Sequence, residues 1–68
     1  MQVWEIRAGA VYETARKQLR RVLRITARAV HYEVVSSRQP GYRFAMLMPA
    51  FAAAAVKRCP AFERRRAR

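Results

Sequence analysis

A chain of 68 residues can form only one domain, with a small core that usually needs a staple or a partner. The single cysteine, Cys59, excludes an intramolecular disulfide, and Cys59 with the single histidine, His31, supplies too few ligands for a zinc site. Self-association into a homodimer is therefore expected to add buried area. Fifteen Lys or Arg against four acids give a net charge of +11, which favours nucleic acid first, an acidic protein surface second and an anionic membrane third.

The N-terminal segment MQVWEIRAG shows no basic run followed by an apolar stretch, so no secretion signal is predicted. The longest apolar run, Phe44–Val56, is interrupted by Pro49 and is too short to span a bilayer. We therefore expect a cytoplasmic protein. Trp4 is expected either to close one end of the core, the interpretation we favour, or to lie at a partner interface.

Gly9 stands before the β-favouring run AVYET, a pattern that predicts a turn leading into a strand. The polar stretch Arg16–Gln18 then fits either a hairpin loop or the exposed turn of a continuing helix.

The central stretch Leu19–Val35 fits two structures. Apolar residues recur at spacings of three and four, which suits an amphipathic helix over about residues 10–28. Alternation instead suits two strands, although Arg21 and Val22 break the pattern and the turn between the strands lacks Gly, Asn and Asp. In the strand interpretation, one sheet face carries Arg20, Arg24 and Arg28. Because VHYEVV is a poor helix ending, we predict strands, with the helix as the alternative.

The C-terminal half begins with a predicted loop, Ser36–Gly41, and a predicted strand, Tyr42–Met48. A helix over about Ala50–Arg58 should follow, because Pro49 suits a first helical turn and Pro60 prevents continuation. Side chains expected to face the body are Phe51, Ala55 and Phe62. The domain is predicted to span residues 1–62, followed by a basic flexible tail over residues 63–68.

Five short patterns together resemble a known type of protein. They are Gly9-Ala-Val-Tyr12, Arg20-Arg-Val-Leu-Arg-Ile25, Val30-His-Tyr-Glu-Val34, Gly41-Tyr42 and Met48…Phe51. In this order they resemble short, uncharacterised prophage or mobile-element proteins with a Gly-x-Val-Tyr, Arg-Val-x-x-Ile and Val-x-Tyr pattern. The resemblance covers about Gly9–Cys59 and implies a mainly β fold, an SH3-like bent sheet or barrel with a short C-terminal helix. It implies a phage or mobile-element origin, and no functional residue carries over.

The sequence offers little catalytic equipment. The four acids are scattered, so no carboxylate pair at a defined spacing is present. A nucleophilic pair of Cys59 and His31 lacks any surrounding signature, and the two glycines stand alone, so no phosphate-binding glycine loop is predicted. We predict a protein that is not an enzyme and needs no cofactor or metal.

Two basic clusters are the candidate binding residues. The first is free of acids and consists of Arg16, Lys17, Arg20, Arg21, Arg24 and Arg28. The second lies near the C-terminus and consists of Lys57, Arg58, Arg64, Arg65, Arg66 and Arg68. Both suit phosphate contacts with DNA or RNA, although a merely solvated surface explains them too. A phage-type inhibitor or adaptor that docks on an acidic host protein is the alternative.

Four aromatic side chains also allow two interpretations. They are Tyr12, Tyr32, Tyr42 and Phe44. Beside the arginines they would form a stacking platform for bases. We favour the core, because so short a chain needs its aromatic residues inside.

Overall fold

The computed structural model describes residues 1–35 and 43–64, which form a mainly β domain. Five strands make one antiparallel sheet in the order β4-β3-β2-β1-β5. The strands are β1 (Val11–Thr14), β2 (Leu19–Ile25), β3 (Ala29–Val34), β4 (Arg43–Leu47) and β5 (Ala55–Arg58). The helices are a 3₁₀ turn (Val3–Glu5), α1 (Met48–Ala54) and α2 (Pro60–Arg64). The predicted fold class is confirmed, the helix over residues 10–28 is wrong, and the open sheet fits the SH3-like description loosely.

The first hairpin, β1–β2, forms where the sequence predicts turns. Gly9 adopts φ 86°, a left-handed conformation that costs glycine little, and leads into β1. In the loop, Lys17 adopts φ 71°, and the Gln18 N–H donates to Thr14 Oγ1 at 3.2 Å. The predicted turn at Gly9 and the hairpin loop at Arg16–Gln18 are both confirmed.

The second hairpin, β2–β3, turns without Gly, Asn or Asp. Thr26 performs their role: its N–H donates to the Ala29 carbonyl at 2.9 Å, and its Oγ1 accepts from the Ala29 N–H at 3.1 Å. A threonine hydroxyl that bonds to nearby backbone can close a turn in place of those residues. The absence of Gly, Asn and Asp from this turn therefore does not prevent the two predicted strands from pairing.

A bulge in β2 explains why its alternation is broken. Val22 pairs with Tyr32 and Arg24 pairs with His31, so Leu23 is an extra residue. The alternation of side chains between the two faces of β2 therefore shifts by one residue at Leu23. As a result, Val22 and Ile25 both lie on the side of the sheet that packs against α1, which we call the inner face.

The predicted common face of three arginines is therefore wrong. Arg20 lies opposite Val34 on the inner face, whereas Arg24 lies opposite His31 on the outer face, because Val34 and His31 point to opposite sides of β3. Arg28 lies in the turn after β2. Counting every second residue fails across a bulge.

The core lies between the inner face and α1, with Phe51 at its centre. The Phe51 ring packs edge-on against Tyr12, with centroids 5.9 Å apart, and tilted against Tyr32 at 5.3 Å. Tyr12 is fully buried and Tyr32 is 7% exposed, so the core interpretation is confirmed for both. Phe44 stacks on Tyr32 at 5.6 Å but remains 43% exposed at the sheet edge, and Tyr42 lies outside the described residues.

The predicted helix Ala50–Arg58 is too long. The helix α1 ends at Ala54, and Ala55–Arg58 forms the edge strand β5 instead. Pairing with β1 satisfies backbone groups along the exposed edge of β1 and buries Ala55, a tertiary gain that local helix propensity does not include. Phe51 and Ala55 face the core as predicted.

The other predictions for the C-terminal half concern a strand, a loop and the basic tail. The predicted strand Tyr42–Met48 corresponds to β4, Arg43–Leu47, and the predicted loop Ser36–Gly41 lies outside the described residues. Glu63, assigned to the flexible tail by sequence, lies in α2, where its Oε2 accepts the Val11 N–H at 3.0 Å. Residues 65–68 also lie outside the described part.

At the N-terminus, the core interpretation of Trp4 is wrong. Trp4 is 71% exposed on the 3₁₀ turn, while Ile6, two residues later, is buried at 5%. None of the helices in the described part of the chain is long and apolar enough to cross a membrane.

Candidate nucleic-acid interface

The acidic side chains are all engaged, and three of them neutralise predicted binding residues. The ion pairs are Glu33–Arg21 at 3.0 Å, Glu13–Lys57 at 3.5 Å and Glu63–Arg58 at 2.9 Å. Glu5 Oε1 accepts the Gln2 N–H at 2.8 Å. Since ten basic side chains are described and three are paired, seven carry charge without an ion pair among the described residues. These seven are Arg7, Arg16, Lys17, Arg20, Arg24, Arg28 and Arg43.

Arg21 has a structural role. Its side chain is only 13% exposed, and its guanidinium donates to Glu33 and, at 3.2 Å, to the Phe62 carbonyl. Its Nε is buried with no acceptor among the described residues. Arg21 therefore ties α2 to the middle of the sheet, and releasing it to a phosphate would leave Glu33 unpaired.

Arg58 is similarly committed, through a two-pronged bond to Glu63. Its Nε and a terminal nitrogen each donate to one Glu63 oxygen at 2.9 Å. This bond, with help from the Val11 N–H, holds the pKa of the Glu63 carboxyl below its usual value despite partial burial. The same bond raises the pKa of Arg58.

Arg20 lies at the rim of the inner face and contacts aromatic rings. Its guanidinium carbon is 4.9 Å from the Tyr32 ring centroid and 5.9 Å from that of Phe51. Nε donates to Gln18 Oε1 at 2.6 Å, and Nη1 lies 3.5 Å from Met46 Sδ. These contacts fix the guanidinium in position without neutralising it.

The outer face presents a basic cluster on three adjacent strands, which we call the outer-face cluster: Arg24, His31 and Arg43. Arg24 on β2 pairs with His31 on β3, and Arg43 on β4 lies diagonally across from His31, two residues before its partner Ala45. Together with Leu23 they line a depression of about 330 Å³. Arg43 faces Glu33 in register, but that carboxylate is bound to Arg21.

Sequence reasoning found only Arg24 of this cluster. Arg43 belongs to neither predicted cluster, because those clusters follow the chain, whereas antiparallel pairing joins residues far apart in sequence. The alternation of β4, with Phe44 and Met46 facing inward, was the available signal. His31, between the two arginines, is half-buried.

The other predicted binding residues are spread around the sheet. Arg16 and Lys17 are exposed in the β1–β2 loop, and Arg28 is exposed in the β2–β3 turn at the opposite end of β2. The side chain of Arg64 and the whole of Arg65 and Arg66 lie outside the described part. Among the described residues, the members of the first predicted cluster therefore do not share one surface.

The residues considered for catalysis are not brought together. His31 is on β3 and Cys59 follows β5, with β2 and β1 between, a separation of roughly 14 Å at the usual strand spacing. Within the described ranges, no three His, Cys, Asp or Glu side chains are grouped in a way that could hold a metal ion.

Comparison of the chain with known protein families, characterised proteins and solved structures finds no match. Its function must therefore be argued from its own residues and their geometry.

Proposed function

We propose that this protein is a non-enzymatic, strongly basic nucleic-acid-binding protein that acts through Arg–phosphate contacts. The observation that carries the proposal is the outer-face cluster, in which Arg24 and Arg43 flank His31 and form no ion pair among the described residues. Arginine presents a planar set of donors that matches a phosphate group, and it stays charged at any physiological pH.

The spacing of the cluster suits a charged backbone. Arg24 and Arg43 are two strands apart and offset by two residues, so their main chains are separated by about 12 Å, and their long side chains can reach successive phosphates. Contacts of this kind position a nucleic acid without reading its bases. We therefore propose binding with little sequence preference, to DNA or RNA, supported by the loop cations Arg16, Lys17 and Arg28.

The test is the salt dependence of binding. Fluorescence anisotropy with a labelled duplex and a labelled single strand, from low to physiological salt, should show affinity that falls steeply as counterion release predicts. Absence of binding at low salt would refute the proposal. Binding that stays equally tight across the salt range would also refute it.

The alternative function, an inhibitor or adaptor that docks on an acidic host protein, is favoured by a different observation. Leu47 on β4 and Val56 on β5 are 61% and 59% exposed, and both strands are sheet edges, to which a partner can add a strand. The prophage resemblance adds a phage origin to this proposal, and a homodimer through such an edge remains a prediction. A stoichiometric acidic partner that survives nuclease treatment, and is lost in Leu47→Asp, would favour it over nucleic-acid binding.

A further inference from the structure

A groove of about 380 Å³ lies between the β1–β2 hairpin and the C-terminal end of α1. Arg16 and Arg20 line the hairpin side, and Ala53, Ala54 and Val56 line the other. One wall is thus cationic and the opposite wall is small and apolar. This groove lies on the inner side of the sheet at Arg20, away from the outer-face cluster.

Arg20 is the unusual residue of this groove, because it is partly buried and has no carboxylate partner among the described residues. A charge withdrawn from water is normally paired, and the ion pairs of Glu13, Glu33 and Glu63 are all formed with other cations. Gln18, Met46 and the Tyr32 ring hold the guanidinium at a fixed place on the groove wall. A cation fixed in this way is preorganised for an anion that enters the groove.

The two walls together specify the chemistry of the ligand. A phosphate suits the fixed Arg20 fork beside Arg16, and the face of a nucleobase can make apolar contact with Ala53 and Val56. A base stacked inside a duplex cannot enter such a groove, whereas an unpaired base can.

We propose that this groove binds one nucleotide unit of a single-stranded nucleic acid, with its phosphate on Arg20 and its base against the α1 wall. This rests on the proposed function and adds to it a preference for single strands over duplex.

Two variants test the groove. Arg20→Lys keeps the charge but loses the planar fork, and it should weaken single-strand binding about tenfold while leaving duplex binding within about twofold. Ala53→Glu adds a carboxylate from an exposed position on α1, where it should not disturb folding, and should weaken single-strand binding at least as much. Arg24→Lys on the outer face is the matched control and should weaken both substrates alike. Circular dichroism melts establish that each variant is folded.

The outcomes separate this inference from the proposed function. If Arg24→Lys weakens both substrates but Arg20→Lys and Ala53→Glu leave the single-strand to duplex ratio unchanged, the groove is refuted and the proposed function stands. If Arg20→Lys does not fold, the ratio of single-strand to duplex affinity in Ala53→Glu decides alone, and an unchanged ratio refutes the groove. If the wild-type protein binds neither substrate, both proposals fail.

Discussion

At the scale of single residues, Tyr12 links the N-terminal segment to the sheet. Its ring is fully buried, its hydroxyl accepts the Arg7 N–H at 2.9 Å, and the same hydroxyl donates to the Glu5 carbonyl at 2.9 Å. Burial raises the pKa of the phenol, so Tyr12 stays protonated, with its donor function intact, throughout the physiological range. The hydroxyl thus fixes the segment that leads into β1.

Tyr12→Phe should therefore destabilise the domain by about 1–2 kcal/mol, because two backbone groups lose their partner. Tyr32→Phe is the matched control: that residue is also in the core, yet its hydroxyl makes no hydrogen bond within the described residues. Urea denaturation followed by circular dichroism measures both. Equal losses in the two variants would contradict the role assigned to the Tyr12 hydroxyl.

The partners of each individual arginine decide whether it can bind a ligand, and the composition of the chain does not reveal those partners. The sequence correctly indicates an excess of positive charge, but Arg21 and Arg24, three positions apart, have opposite roles. Arg21 faces Glu33 across the strand pair and is bound, whereas Arg24 faces His31. The partner of each arginine depends on strand register, which a single sequence leaves open.

At the scale of elements, the bulge at Leu23 determines which side chains of β2 enter the core. Val22 is 1% exposed and Leu23 is 37% exposed, although the two are adjacent and both apolar. The strands themselves were predictable from their β-branched residues and flanking turns. The bulge was not, because strict alternation assigns the same residues to other faces.

Val22→Ala should cost about 2 kcal/mol, since it leaves a cavity between the sheet and α1, whereas Leu23→Ala should cost less than about 0.5 kcal/mol. Thermal denaturation of both variants measures the difference. A larger loss for Leu23→Ala would mean that the bulge is placed elsewhere in β2.

The sequence did not predict the strand β5 or the helix α2, because both elements depend on contacts with other parts of the fold. Ala-rich sequence favours a helix through Arg58, and only the unpaired edge of β1 makes Ala55–Arg58 extended. The helix α2 is short and is held by tertiary contacts, namely Glu63 with Arg58 and the Phe62 carbonyl with Arg21. Neither contact follows from local propensity.

The Glu63 contact makes stability depend on pH. Its folded-state pKa is lowered, so its contribution is present above the unfolded value of about 4.3 and is lost as pH falls through the folded value. Glu63→Gln should lower the free energy of unfolding at pH 7 by about 1–2 kcal/mol, and the difference should shrink below about pH 4. Denaturant titrations from pH 7 to pH 2 measure it. A difference that persists unchanged at pH 2 would contradict this assignment.

At the scale of the whole molecule, the excess positive charge is divided between cations that form ion pairs and cations that do not. Ion pairs use Arg21, Lys57 and Arg58 to hold the sheet and α2 together, while Arg24 and Arg43 on the outer face form no ion pair with any described residue. A small domain with little core thus uses part of its arginine for stability and leaves part for a polyanion.

The most direct test of nucleic-acid binding through the outer-face cluster is the slope of log K against log salt for charge-matched variants. Arg24→Gln and Arg43→Gln should each reduce the slope for duplex DNA by about 0.9, because each loses one phosphate contact. Arg7→Gln removes the same charge from an exposed position before β1 and should leave the slope nearly unchanged. If all three variants change the slope equally, binding follows net charge alone and the outer-face cluster is not the interface.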